Sequence, residues 1–318
     1  MNYLIAPESI IGSVLFLILG FGFLIKGGDA LIDGSVNLAK RFKIPMAFIG
    51  LTIVACGTSA PELFTTTYAS MNGKYDLAMS NVLGSNIFNV CIILGLAGLF
   101  FPFTVNRINF IWDWTWLASI TTLLILFSWD LEIKTYEAFL LFLIYIIFVL
   151  STWKKLKRAP DDLDNFLPDT TALKDSIFII LGLIGLLIGT RLAIKGGVQI
   201  GALLGLTDRF IGLLILAIGT SLPEMVTSLT AAYKGHAEIA IANVMGANIA
   251  NILIVLGFSG TLNTFQISEK VFNPDIFISL IATLILGGLI YFGKFKFPRW
   301  QGLTLILTYI SYFYFFVI

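Results

Sequence analysis

Long apolar stretches broken by short polar loops fill this chain from end to end. Ten segments carry the roughly 20 mostly apolar residues a helix needs to cross a bilayer. They lie near 9–37, 46–71, 77–101, 110–129, 135–153, 175–204, 210–233, 238–262, 273–293 and 299–317. One longer polar stretch, KKLKRAPDDLDNFLPDTTALKD from Lys154 to Asp175, lies midway and is too short for a soluble domain. Before the first apolar run, Met1 to Glu8 has no basic segment, and no small-residue cleavage site follows the run. It therefore reads as a retained helix and not a signal peptide.

The pattern repeats. FIGLTIVACGTSAPE at 48–62 returns as FIGLLILAIGTSLPE at 210–224, and NVLGSNIFN at 81–89 as NVMGANIAN at 243–251. The offset is 162 without a gap from Phe48 to Gly98, with roughly half the positions identical. Shared lipid-facing composition cannot produce this, because Pro, Glu, Asn and Thr are among the matches. The reading is an all-α membrane protein of ten transmembrane helices in two inverted five-helix repeats. Residues 1–153 form the first five-helix repeat, with the internally repeated segment at 46–101. Residues 154–174 form a cytoplasmic linker, and 175–318 the second repeat, with its core at 208–262. An odd number of spans per half inverts the second half, the plan of secondary transporters with a midplane site.

Composition agrees. Apolar residues make up 58% and charged residues 12% of the 318, about half the charged share of soluble domains. A net charge of +1 gives no field that would draw nucleic acid. Cys56 and Cys91 sit in apolar stretches without a CxxC pair, and read as packing residues. With the N-terminus outside, the inner loops hold Lys40, Arg41, Lys43, Arg107, Lys154, Lys155, Lys157, Arg158, Lys174, Lys234, Lys294, Lys296 and Arg299. The outer loops hold only Lys74, Lys134, Arg209 and Lys270. This bias predicts that both termini face outward.

Glu62 and Glu224 lie deep inside apolar segments, where a carboxylate costs several kcal/mol unless paired, neutralised or hydrated. The cations inside spans, Lys26, Arg191 and Lys195, lie elsewhere along their helices, so a mobile cation is the natural neutraliser. Pro61 and Pro223 precede the two Glu, and Gly57 and Gly219 stand four positions before each Pro. Such prolines disturb a helix one turn earlier and turn carbonyls, such as those of Ala55 and Ala217, toward a cavity. Thr58, Ser59, Thr220 and Ser221 add hydroxyls; Ser85, Asn86, Asn89, Asn243, Asn248 and Asn251 add oxygens from facing helices, with Asn81 nearer an end. Asn81, Ser85 and Asn89 share one helix face. Oxygen donors without nearby His or thiolate favour hard cations, Ca²⁺ over Mg²⁺, with Na⁺ able to share them. His236 reads as a solvated loop residue. An intramembrane enzyme would need HExxH, an Asp pair or a Ser–His couple, which the sequence does not offer.

GTSAPE at 57–62 and GTSLPE at 219–224, with GSNIFN and GANIAN downstream, resemble the two repeats of the Ca²⁺/cation antiporter superfamily, sodium/calcium exchanger type. The resemblance implies a prokaryotic form without a regulatory domain. It implies antiport of Ca²⁺ against Na⁺ by alternating access in a plasma membrane. It implies no enzyme activity, no cofactor, no obligate protein partner, and the lipid bilayer as surroundings. It assigns Thr58, Glu62, Thr220 and Glu224 to Ca²⁺. Ser59, Ser221 and the carbonyls of Ala55 and Ala217 go to flanking Na⁺ sites, and Ser85, Asn89 and Asn251 complete the set. The first and sixth spans would slide across the core. Two positions depart from the family pattern: Ala247 stands where a Ser hydroxyl would help bind Na⁺, and Asn251 where some relatives carry Asp. They leave the stoichiometry open, and with it an H⁺-coupled or K⁺-involving variant of the same superfamily.

Overall fold

The computed structural model describes residues 10–156, 170–204, 217–269 and 271–317. Within them the apolar runs form helices. α1 spans Ile10–Phe42, α2 Met46–Thr58, α3 Ala60–Met71, α4 Tyr75–Phe100, α5 Arg107–Phe127 and α6 Thr135–Leu156. In the second half α7 spans Ala172–Leu203, α8 Ala217–Thr220, α9 Leu222–Tyr233, α10 Ala237–Leu262, α11 Val271–Phe292 and α12 Arg299–Tyr312. Seven of these, or eight when α2 and α3 count as one bent span, are long and apolar enough to cross a membrane. The segment expected at 210–233 enters the described residues only at Ala217. Most of the central linker, 157–169, and Met1 to Glu8 also lie outside them.

The span expected at 46–71 is broken in its middle: α2 and α3 meet at 47° around Ser59. The cause is Pro61 in the first turn of α3. Its ring fits a helix start and forbids continuation from the preceding turn. Four two-residue strands, also unforeseen, pair the halves at the loops. Phe103–Thr104 runs antiparallel to Lys296–Phe297, and Glu132–Ile133 to Phe265–Gln266. The turns after α3 and α9 pivot on Gly73 (φ +68°) and Gly235 (φ +81°), repeat counterparts in a backbone region that side chains disfavour.

Burial ranks the helices. In the apolar windows of α4 and α10, 78% and 94% of residues are buried, against 22% in those of α1 and α6. α4 and α10 therefore form the centre. The outer helices turn large apolar side chains outward, such as Ile10, Leu15 and Ile18 on α1 and Phe139 and Ile147 on α6. Water would not tolerate so continuous an apolar surface, whereas lipid does. α1 and α7, with 33 and 32 residues, are each roughly 50 Å long, well beyond the hydrocarbon core. They pack on each other along a glycine seam. A methyl group on Gly20, Gly27 or Gly34 would strike the backbone of α7, and one on Gly182, Gly189 or Gly196 the backbone of α1. Such bare stripes let helices in lipid approach closely. At one end of the seam, buried Asp175 holds Arg41, Asn37 and Thr170.

Candidate functional site

The break between α2 and α3 and its counterpart between α8 and α9 bring the two GTSxPE segments together. Glu62 and Glu224 each lie in the first turn after a break, and both are fully buried. Their hydrogen bonds cross between the halves. Ser221 Oγ donates to Glu62 Oε1 at 3.2 Å, and Ser59 Oγ donates to Glu224 Oε1 at 3.1 Å. Thr220 and Thr58 lie against Glu62 and Glu224 in the same crossed sense. Each motif thus supplies the hydroxyls for the other motif's carboxylate, so neither half makes the site alone. Gly57 and Gly219 are needed because side chains of α7, Leu183 and Ile194, occupy the space a methyl group would take.

α4 and α10 close the site from the centre. Ser85 Oγ donates to Glu62 Oε1 at 3.3 Å, while its counterpart Ala247 has no hydroxyl for Glu224. Asn81 Nδ2 donates to Thr66 at 3.0 Å, and Asn243 Nδ2 to the counterpart Ser228 at 2.8 Å. Asn243 also approaches the Thr58 hydroxyl at 3.4 Å. Four asparagines join the two helices reciprocally. Asn89 Nδ2 donates to Asn248 Oδ1 and Asn251 Nδ2 to Asn86 Oδ1, both at 3.0 Å. The amides of Asn86 and Asn248 reach each other's backbone carbonyls at 3.4 and 3.0 Å. Asn89 and Asn251 each open a π-helical turn, Asn89–Ile93 and Asn251–Leu256, and such widened turns occur often at functional sites.

Four buried oxygens here accept no hydrogen bond: Glu62 Oε2, Glu224 Oε2, Asn89 Oδ1 and Asn251 Oδ1. They form two repeat-related pairs. Every one is an acceptor, and a buried acceptor without a donor costs about 1–3 kcal/mol, more when charged. A hard cation can take several such oxygens at once, whereas a single hydrogen-bond donor satisfies one. Among the described residues, no three His, Cys, Asp or Glu side chains gather to suit a softer metal.

Of the residues singled out from sequence, Glu62, Glu224, Thr58, Thr220, Ser59, Ser221 and Ser85 come together through direct neighbours. Asn89 and Asn251 are bonded within the asparagine cluster, to Asn248 and Asn86, and not to either carboxylate. The Ala55 carbonyl accepts from Ser59 N at 3.0 Å and Thr58 Oγ1 at 3.2 Å, so it is engaged within its own segment instead of free. Ala217 opens α8, and the residues before it lie outside the described set. Thr66 and Ser228, which anchor Asn81 and Asn243, were not singled out; their repeat-equivalent positions were the available signal. Asp113, inside the span expected at 110–129, was also passed over. Cys56 approaches Tyr145 Oη at 2.8 Å, and both cysteines are free.

The family model described as sodium/calcium exchanger protein matches residues 12–154 and again 175–318. A putative antiporter, CaxA, of Alkalimonas amylolytica is 33% identical over 95% of this chain and 98% of its own length. The sodium/calcium exchanger MaX1 of Methanosarcina acetivorans is 29% identical over 94% of this chain and 96% of its own. A solved structure of the sodium-calcium exchanger NCX_Mj superposes with a TM-score of 0.85 at 27% identity, covering 96% of this chain and 99% of that one.

Proposed function

The chain belongs to the sodium/calcium exchanger protein family, and on that premise we propose that it exchanges Ca²⁺ for Na⁺ across a prokaryotic plasma membrane. It is an integral membrane protein of a transporter family. In this reading Glu62 and Glu224, with Thr58 and Thr220, hold Ca²⁺ between the halves. Ser59, Ser221, Ser85 and the Ala217 carbonyl serve Na⁺, the Ala55 carbonyl joining them once the Thr58 hydroxyl that it now accepts from turns away, and Asn89 and Asn251 turn their unused oxygens to the ions. The observation that carries it is the pair of buried carboxylates facing each other's hydroxyls, each with one oxygen that accepts nothing.

Two carboxylates match the charge of one Ca²⁺ or of two Na⁺. Both ions need the same oxygens, so their binding is exclusive. An occupied site is near neutral and can pass through a closed, dry state. An empty one leaves two bare carboxylates, costly to seal from water, and that penalty forbids return without a counter-ion. The architecture in this reading is ten transmembrane helices in two inverted five-helix repeats, 1–153 and 175–318, joined by a cytoplasmic linker at 154–174, with both termini outside. Support comes from the crossed hydrogen bonds and reciprocal strand pairs, the pattern expected of two halves about a shared axis.

The test is Na⁺-gradient-driven ⁴⁵Ca uptake into vesicles. Glu62→Ala and Glu224→Ala are each expected to abolish uptake while the protein still inserts. Near-normal uptake by either variant would rule the assignment out.

A further inference from the structure

Asp113 stands on α5, only 4% exposed, and its Oδ1 is buried without a hydrogen bond. With Asn109 and Glu238 it lines a cavity of about 20 Å³, room for a single water-sized occupant. Glu238, in the first turn of α10, also lines a larger cavity of about 830 Å³ between the loops at that end of the molecule. Glu238 thus lines both cavities.

Among the described residues, the charged groups whose fields reach Asp113 are Lys155 on α6 and Glu238 on α10. Lys155 is engaged elsewhere: its Nζ donates to the Ile108 carbonyl at 2.8 Å and stands 5.0 Å over the Trp112 ring. It forms no ion pair with Asp113 among the described residues. The repeat counterpart, Asp275, shows the alternative solution. It accepts a hydrogen bond from Tyr312 Oη at 3.1 Å. The second half thus satisfies its aspartate with a phenol, while the first sets its aspartate on a cavity that a second acidic residue also lines.

We propose that Asp113, Glu238 and the Asn109 side-chain oxygen form a second cation site, separate from the central pair, that takes Ca²⁺. Two carboxylates and an amide oxygen are hard donors that match a divalent charge, and Ca²⁺ accepts water to complete its flexible shell. The choice of Ca²⁺ as the ion rests on the exchange reading; the need for a cation rests on the cavity and the unpartnered oxygen. An ion here ties the start of α10 to α5. Glu238 precedes Asn243 by five residues, about 7–8 Å along the helix axis, so occupancy acts on the helix that closes the central site.

The experiment is ⁴⁵Ca equilibrium binding to the full chain in lipid nanodiscs without Na⁺. The double variant E62Q/E224Q removes the central charges and is expected to keep one Ca²⁺ per chain. Adding D113N, or E238Q, to it is expected to weaken that ion by about tenfold or more. The proposal is overturned if E62Q/E224Q binds no Ca²⁺, or if its remaining ion ignores both D113N and E238Q. If E62Q/E224Q binds as many ions as the native chain and loses one with D113N, the central assignment fails while this site stands.

Discussion

Ser85 gives Glu62 a hydroxyl that Ala247 cannot give Glu224, and this one difference makes the two halves of the site unequal. Ala247→Ser should restore the missing donor. A hydrogen bond of about 1 kcal/mol corresponds to about a fivefold change. The Na⁺ concentration for half-maximal exchange should fall by about that factor, read from Ca²⁺ flux at stepped Na⁺ gradients. Ser59→Ala and Ser221→Ala each delete one crossed bond of nearly the same length. The two should raise the half-saturating Na⁺ concentration by similar factors, about five- to tenfold, in the same flux assay. Effects differing by more than an order of magnitude would contradict the reciprocity. The identity of these residues was legible in the sequence because carboxylates do not persist deep in lipid without a purpose. Their crossing was not. Ser59 is three residues from Glu62 and 165 from Glu224, and only the inverted packing makes the distant one its partner.

Among the helices, the expected spans and the observed ones agree to within a few residues at α4, α6 and α10. They differ where a proline acts. Pro61 was expected to loosen one helix, but it starts a new one, and the change of axis points Glu62 at the other half. The π-helical turns at Asn89 and Asn251 left no mark in hydropathy, because they change hydrogen bonding and not polarity. The α1–α7 seam yields a further prediction. Gly27→Leu would drive a side chain into the backbone at Gly182 and Leu186, an overpacking that costs about 1–3 kcal/mol or more. Gly22 has open space at the corresponding point, so Gly22→Ala should be near neutral. Thermal denaturation in detergent, followed by fluorescence-detected gel filtration, should show a clear loss for the first and little change for the second.

For the whole molecule, the distribution of basic residues predicts which way the halves lie. With both termini outside, a cysteine placed at Lys134 should react with an impermeant maleimide added to intact cells. One placed at Arg107 should react only after permeabilisation. The reverse pattern would invert the orientation without disturbing the site. At the loop end that Arg107 occupies, Lys234 pairs with Asp29 at 3.0 Å and Asp33 at 2.8 Å, fastening α1 to the turn between α9 and α10. Such half-exposed pairs are worth about 1 kcal/mol or less, strong enough to bias a position and weak enough to release. The bare stripe that joins α1 to α7 has a larger consequence. Two antiparallel rods in backbone contact over their length behave as one shaft, and one face of that shaft rests on Gly57 and Gly219 together. If exchange proceeds by a sliding of this shaft, as the family resemblance implies, a shift that uncovers one side of the site would cover the other, like two doors hung on a single bar.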